Sequence, residues 1–323
     1  MEARGALAET VFHSGRYDEG RSLTEDYLGQ LKEVYGPKHL TVLVAIAEYG
    51  TLLSDVGDLE RAHEQLQAAL VGFEESLGAD HLFALQIKNN LAILYRKQGR
   101  IAKSKEVAEE VLEARREQLG SDHHLIGQSL DVLAYAYKEM GEREAALATY
   151  IEAESVYTKA LGGSHWATLD VRYNLASAYE DSQQYAAAEA IYHDYMPGTR
   201  KVYGDGHPYV ADGLFQIARM RRAQHDYAGA APYAEQALEL RREIFPAGHT
   251  RICDAQSLVG ILLVELERGP KGAEVMESAW TCFEEAGATQ RAIRGGMYRN
   301  LLFHYESAGL TAEAADLRGR IGD

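Results

Sequence analysis

Six histidines, His39, His81, His123, His165, His207 and His249, stand 42 residues apart, and histidine is a frequent carrier of metal and proton chemistry. A metal needs its ligands within about 2.1 Å of one ion. Positions a whole repeat apart, in helices packed about 8–10 Å from one another, do not converge in that way. Turn and packing roles are the expected reading, with no metal site. The pair His123–His124 adds one neighbour but no cysteine or carboxylate at ligand spacing. Cys253 and Cys282, the only cysteines, read as two buried thiols, too few for a disulfide framework and suited to a reducing compartment. No Gly-rich loop ending in Lys-Ser/Thr, no H-E-x-x-H and no G-x-S-x-G occurs. Carboxylates such as those of "EEVLEARRE" lie at the spacing of a solvated helix face. The sequence therefore predicts no catalytic residue and no cofactor, and the protein is not read as an enzyme.

The elements that hold these residues are set by the same 42-residue beat. Gly36, Gly78, Gly120, Gly162 and Gly204 each precede a phased histidine by three positions, and Pro246 takes that place in the sixth unit. A second turn falls at Gly15, Gly57, Gly99 and Gly141, then at Gln183, His225 and Glu267, and again at Gly309. Between histidine and second turn lies one helical pattern, helix A. Leu91, Leu133 and Leu175 are followed by Ala92, Ala134 and Ala176 and then by Tyr95, Tyr137 and Tyr179. Such i, i+1, i+4 alternation of large and small residues suits closely packed helices. Helix B follows, and five residues past the second turn it holds Gly20, Ala62, Ser104, Ala146, Ala188, Ala230, Gly272 and Ala314. A position restricted to small residues implies near contact of two backbones. Gly78, Gly120 and Gly204 are expected as left-handed helical caps of helices B, with Ser121 and Asp122 as examples of caps for the next helix A.

The stretch "GADHLFALQIKNNLAILYRKQGR" resembles the 42-residue tetratricopeptide unit of the kinesin light chain type. "GSHWATLDVRYNLASAYEDSQQYAAAEAIY" and "GDGHPYVADGLFQIARM" resemble it as well. HEAT and armadillo repeats share the length but not this Leu-Ala-x-x-Tyr helix with its glycine turn. The resemblance implies an all-α fold, a right-handed superhelical solenoid of antiparallel helix pairs with about seven and a half repeats. It covers residues 1–323 as one array. A partial first repeat spans 1–36, full repeats span about 37–78, 79–120, 121–162, 163–204 and 205–246, a divergent repeat spans 247–288, and a short C-terminal repeat or cap spans 289–323. The first repeat begins inside a helix A, with Leu7, Ala8 and Val11 in the Leu, Ala and Tyr places. That leaves an open N-terminal end, expected either to mark an excised module or to pair in a homodimer. In the divergent repeat Gly269, Pro270 and Gly272 fall in the first turn of helix B, and Arg291 takes the histidine place.

The net charge of −16 argues against nucleic acid as a partner. No secretory leader is visible, and the longest apolar run, Leu258 to Val264, is far too short to span a membrane. A cytoplasmic protein without membrane contact is expected. The acidic residues concentrate on helices B, whereas helices A are close to neutral and positive over residues 82–98 and 208–224. The resemblance implies that helices A line a concave groove. The stripe beside the packed face carries Gln86, Asn89 or Asn90, Ile93, and Arg96 or Lys97, then Tyr135 and Lys138, Tyr173 and Ser177, and Phe215, Arg219 and Arg222.

Carboxamides at Asn90, Asn174, Gln216 and Asn300 each offer a donor and an acceptor, which matches an extended peptide backbone. In related repeat proteins the helix-A asparagine at this place contacts peptide, and by resemblance that role passes to Asn90, Asn174 and Asn300. Each asparagine can equally bond within the scaffold, a reading stronger for Asn89, which lies nearer the core face. The Lys-Asn clamp of chaperone-binding repeats is not reproduced, since Val132 occupies one of its places. The expected function is a non-catalytic protein-interaction scaffold for a peptide or partner segment, neutral to acidic in character. The competing expectation is a regulatory module of a larger bacterial signalling protein, such as a kinase, an ATPase or a transcription regulator, with the groove held by its own polypeptide or a second copy.

Overall fold

A computed structural model describes residues 10–12, 14–266, 269–288, 297–307 and 309–321. They form helices joined by short turns, and no strand occurs among them. The protein divides into two compact units, Met1–Gly162 and Gly163–Asp323, at the boundary that the 42-residue count sets between repeats 121–162 and 163–204.

The first unit holds α1 (Tyr17–Tyr35), α2 (Leu40–Asp55), α3 (Leu59–Leu77), α4 (Leu82–Lys97), α5 (Ile101–Leu119), α6 (His124–Glu139) and α7 (Arg143–Leu161). The second holds α8 (Trp166–Asp181), α9 (Tyr185–Tyr203), α10 (Pro208–Ala223), α11 (Tyr227–Ile244), α12 (Thr250–Glu265), α13 (Gly269–Glu285), α14 (Met297–Ser307) and α15 (Thr311–Ile321). Within each unit consecutive helices pack antiparallel in pairs, and helices A of neighbouring repeats also touch, α2 with α4, α4 with α6 and α10 with α12. Leu7, Ala8, Glu267 and Arg291 lie outside the described residues, and so does the N-terminal end expected to be open.

The phased histidines are the caps of helices A. Each is extended, as His81 is at φ −66° and ψ 142°, and its Nδ1 accepts the backbone N–H two residues on at 3.2 Å. This corrects the expectation of Ser121 or Asp122 as the cap; Asp122 instead pairs with Lys159 at 3.3 Å. An acceptor in this place satisfies one of the orphan N–H groups of the first turn, whatever side group supplies it. Where an aromatic residue ends the preceding helix B, it stacks on the imidazole: Tyr35 on His39, Tyr203 on His207 and Phe245 on His249.

The glycines before the histidines also differ from expectation. Gly78, Gly120 and Gly204 have positive φ, but their ψ values of 155°, 168° and 163° are extended rather than left-handed helical. The reason lies in the four-residue turn. The glycine carbonyl must face the histidine N–H, and His81 N donates to Gly78 O at 3.3 Å and His207 N to Gly204 O at 3.4 Å. Only glycine enters that region freely. The described second turns also have positive φ, and Gln183 (58°) and His225 (62°) adopt it without glycine.

The small positions of helix B are buried in every described repeat. At Gly272 an added Cβ would stand 2.8 Å from the Val264 N and 2.9 Å from the Gly260 O, so the backbones of α12 and α13 touch there. That proximity overturns the reading of two free thiols. Cys253 and Cys282 lie one on each of these helices, with Cα atoms 5.5 Å apart, and form a disulfide. In the first unit Leu66, Phe73, Leu91 and Leu94 belong to a continuous core, and in the second Met276, Trp280, Phe283 and Leu301 close the C-terminal end.

Candidate functional site

In the first unit the helix-A stripe is organised from inside. Arg115 on α5 is completely buried, and desolvation pushes its guanidinium down to about 10. Its Nη1 donates to the Leu125 O and the Ser129 Oγ at 2.8 Å each, to the Gln128 Oε1 at 3.3 Å and to the Asn89 Oδ1 at 3.5 Å. Its Nη2 donates to the Gln86 Oε1 at 2.9 Å. With its oxygen taken, Gln86 turns its Nε2 to the Asn90 Oδ1 at 3.0 Å, and Asn90 turns its Nδ2 to the Thr51 Oγ1 at 3.3 Å. Thr51 closes the series on the Ala47 carbonyl. Every bond runs donor to acceptor from the core towards α2, so the orientations of both carboxamides are set. Asn90 is half-buried and keeps a second hydrogen and a second lone pair. Asn89 is wholly buried and holds the scaffold, as its place nearer the core suggests.

The other expected residues of this unit have internal partners too. Lys97 donates to Asp55 at 2.8 Å and to the Ser54 carbonyl at 3.0 Å. Tyr135 lies under the Arg96 guanidinium at 4.1 Å, and Lys138 is engaged within the protein.

In the second unit Gln216 takes the place of Asn90 three repeats later. It donates to the Tyr173 hydroxyl at 2.9 Å and accepts from Arg219 at 2.6 Å, while Arg219 also pairs with Glu180. Arg222 has a buried Nε that makes no hydrogen bond. Asn174 and Asn300 are half-buried and engaged within the protein. The structure thus brings Asn90 together with Gln86, and Gln216 with Arg219 and Tyr173.

Two features of the site were missed in the sequence. The first is the arginine at a helix-B position otherwise filled by Leu31, Phe73, Tyr157, Thr199 and Phe283. It recurs as Arg241 on α11, which donates to Asp212 at 2.9 Å and to the Arg251 carbonyl at 2.8 Å and covers the Phe215 ring at 4.1 Å. Burial lowers the Arg241 guanidinium and Asp212 opposes the shift. The second is the column five residues past each histidine: Val44, Gln86 and Gln128 in the first unit, and Asp170, Asp212 and Asp254 in the second. Its signal was available as a change from amide to carboxylate at one repeat position. Among the described residues no three ligand-type side groups gather as a metal site, and no helix is long and apolar enough to cross a membrane.

A family model described as tetratricopeptide repeat matches residues 1–75, 44–117, 83–159 and 167–243. No curated protein matches the sequence. Among solved structures, the TPR-like repeats assigned to a kinesin light chain of Podosopora anserina share 22% identity at a TM-score of 0.56, over 64% of this chain and 98% of that one. Apo RapI aligns over 99% of this chain and 92% of its own at 10% identity and a TM-score of 0.70. A Rap protein complexed with Competence and Sporulation Factor aligns over 99% and 95% at 11% identity and a TM-score of 0.55. At these identities the likeness is one of fold.

Proposed function

We propose, since the chain belongs to the tetratricopeptide repeat family, that it is a non-catalytic interaction scaffold whose helix-A faces hold a peptide or partner segment. The observation that carries this reading is the directed series Arg115–Gln86–Asn90–Thr51. It presents Asn90 in a fixed orientation with one hydrogen and one lone pair to spare, the complement of a backbone C=O and N–H. Preorganisation of that kind lowers the ordering cost of binding. The Rap protein solved with Competence and Sporulation Factor supports the reading as a similar fold holding a separate factor.

The partner segment is neutral to acidic. Lys97 and Arg219 already hold carboxylates of their own protein, and the half-buried Arg222 is a further stripe cation for an acidic group. The regulatory alternative uses the same faces, with a segment of a larger polypeptide in the partner's place.

An unbiased pull-down tests the reading. Wild type and Asn90→Ala/Asn174→Ala/Arg219→Glu are compared after circular dichroism has verified that the triple variant is folded. Loss of one or more partners is expected. Retention of every partner by the folded variant would overturn the reading.

A further inference from the structure

Cys253 and Cys282 close one disulfide but face different surroundings. Cys253 sits in the first turn of α12 and is wholly buried. Cys282, near the end of α13, is half-buried and forms part of the wall of an open cavity of about 600 Å³. Cys253 is not among the residues that line it. Thiol–disulfide exchange requires a thiolate to reach one sulfur and expel the other. From this cavity the Cys282 sulfur is the one in reach. The Cys253 Sγ lies 3.5 Å from the His249 carbonyl, an acceptor for the thiol that exchange releases.

The other residues of the cavity bear on which thiol fits it. Arg242 and Glu285 line it, and neither makes a hydrogen bond or ion pair with the described residues. Their counterparts in other repeats are paired. Arg116 pairs with Glu152 and Arg200 with Asp205; on the same 42-residue beat these carboxylates become Ser278 and Ala247. Glu75 pairs with Lys38 at 2.8 Å and Lys159 with Asp122 at 3.3 Å; the place of both partners is taken here by Gly248. Ser278, Ala247 and Gly248 all line the cavity. This end of the array has thus kept one member of each ion pair and exchanged its partner for a small residue and open volume. That volume lies within the range of about 300–1,000 Å³ found for small-molecule sites. Glu239 and Glu243 flank Arg242 on α11, so a molecule that carries carboxylates alone is opposed.

We infer that Cys282 is a thiolation site for a small thiol of the amino-acid class, one that carries both a carboxylate and an ammonium group. The carboxylate meets Arg242 and the ammonium meets Glu285. The thiolate of this molecule attacks the Cys282 Sγ, a new S–S bond forms there, and the Cys253–Cys282 bond breaks. The electron pair of the broken bond leaves on the Cys253 sulfur, which takes a proton from solvent. The incoming sulfur is oxidised as Cys253 is reduced, so no further oxidant or reductant is needed. α12 and α13 lose their covalent link and remain packed where Gly260 and Gly272 meet. The inference stands apart from the peptide-holding function and uses none of its residues.

The test exposes the full-length protein to L-cysteine or to 2-mercaptoethanol and quenches at intervals with N-ethylmaleimide in denaturant. Peptide mass spectrometry locates each mixed disulfide, and its appearance gives the rate. The first adduct is expected on Cys282, with Cys253 recovered as its maleimide derivative. The ratio of the L-cysteine rate to the 2-mercaptoethanol rate is expected to be about fivefold higher in wild type than in Arg242→Gln/Glu285→Gln. Comparing ratios cancels the intrinsic reactivity of the two thiols. Both substitutions fall at exposed positions, and circular dichroism verifies that the variant is folded. 3-Mercaptopropionate, which lacks the ammonium group, is expected to show no such difference between wild type and variant. First adducts on Cys253, or no mixed disulfide at all, overturn the inference. So does an L-cysteine ratio that is equal in wild type and variant, or a 3-mercaptopropionate difference as large as that of L-cysteine.

Discussion

Arg115 and Arg241 occupy the same place in two repeats three periods apart, and the protein solves the burial of a guanidinium there in two ways. Around Arg115 every acceptor is neutral: two amides of α4, an amide and a hydroxyl of α6, and the Leu125 carbonyl. Around Arg241 one carboxylate, Asp212, carries the main compensation, with Arg251 on its other oxygen. A guanidinium keeps its charge in either setting. The carboxylate ends the interaction where it begins, because an ion pair is satisfied locally. The neutral cage instead passes the polarity outward, through Gln86 to Asn90. Gln216, the counterpart of Asn90, is oriented from its own surface by Arg219 and Tyr173, while the buried Arg241 of that repeat bonds Asp212 and the Arg251 carbonyl and relays nothing to it.

The largest effect expected from this difference is on stability. Arg241→Met leaves Asp212 with one partner in place of two and should lose about 3 kcal/mol in urea unfolding. A loss below about 1 kcal/mol would show that Arg251 alone satisfies the carboxylate. A double-mutant cycle sharpens the point. Coupling between Arg241 and Asp212, measured with Arg241→Met and Asp212→Asn, should reach about 2 kcal/mol, whereas Arg115 and Gln86 should couple by less than about 1 kcal/mol. Equal couplings would erase the distinction between the two cages.

The small positions offer a check that the two units are otherwise equivalent. Ala146→Leu in the first and Ala230→Leu in the second, at 1% and 0% exposure, should each lose about 1–3 kcal/mol by overpacking. An unchanged melting temperature for either would remove that position from the backbone contact. Arg115→Met should lose only about 1 kcal/mol, since relief of a desolvated charge offsets its lost hydrogen bonds. The smallest effect is a gain. The first unit keeps glycine at its second turns, while the second uses Gln183 and His225 at the same positive φ. Gln183→Gly and His225→Gly should each raise stability by up to about 1 kcal/mol in thermal melts. No gain would mean that their side groups stabilise the turn in another way, as the contact of His225 Nδ1 with the Tyr227 hydroxyl at 2.9 Å allows.

Much of this was legible in the residues. The beat of 42 located each pair of helices and the small contact between them, because backbone proximity and positive φ leave few permitted residue types. The histidines were legible as turn residues but not as caps, since Ser, Asp and Asn dominate that role and only geometry reveals an imidazole nitrogen within reach of an N–H. The ψ of the preceding glycine depends on where its carbonyl must face, and its identity does not encode that. The disulfide required knowing that α12 and α13 touch at Gly260 and Gly272. Asn90 was singled out by position alone, and the groups that orient it lie 39 residues earlier, four residues earlier in its own helix and, through Gln86, in a buried arginine of the next helix.

The coincidence of cap, turn and small contact on one beat has a consequence for how such a protein can change length. The imidazole that caps one helix is fixed at a constant offset from the glycine that opens its turn and from the small residue of the next helix. Excision of 42 residues from within the first unit, wherever the cut begins, joins two positions of the same phase and leaves every helix with its own start and stop. Excision of 40 places a cap where a contact belongs. The length of the array is in this sense quantised, and its natural unit of gain or loss is a whole period.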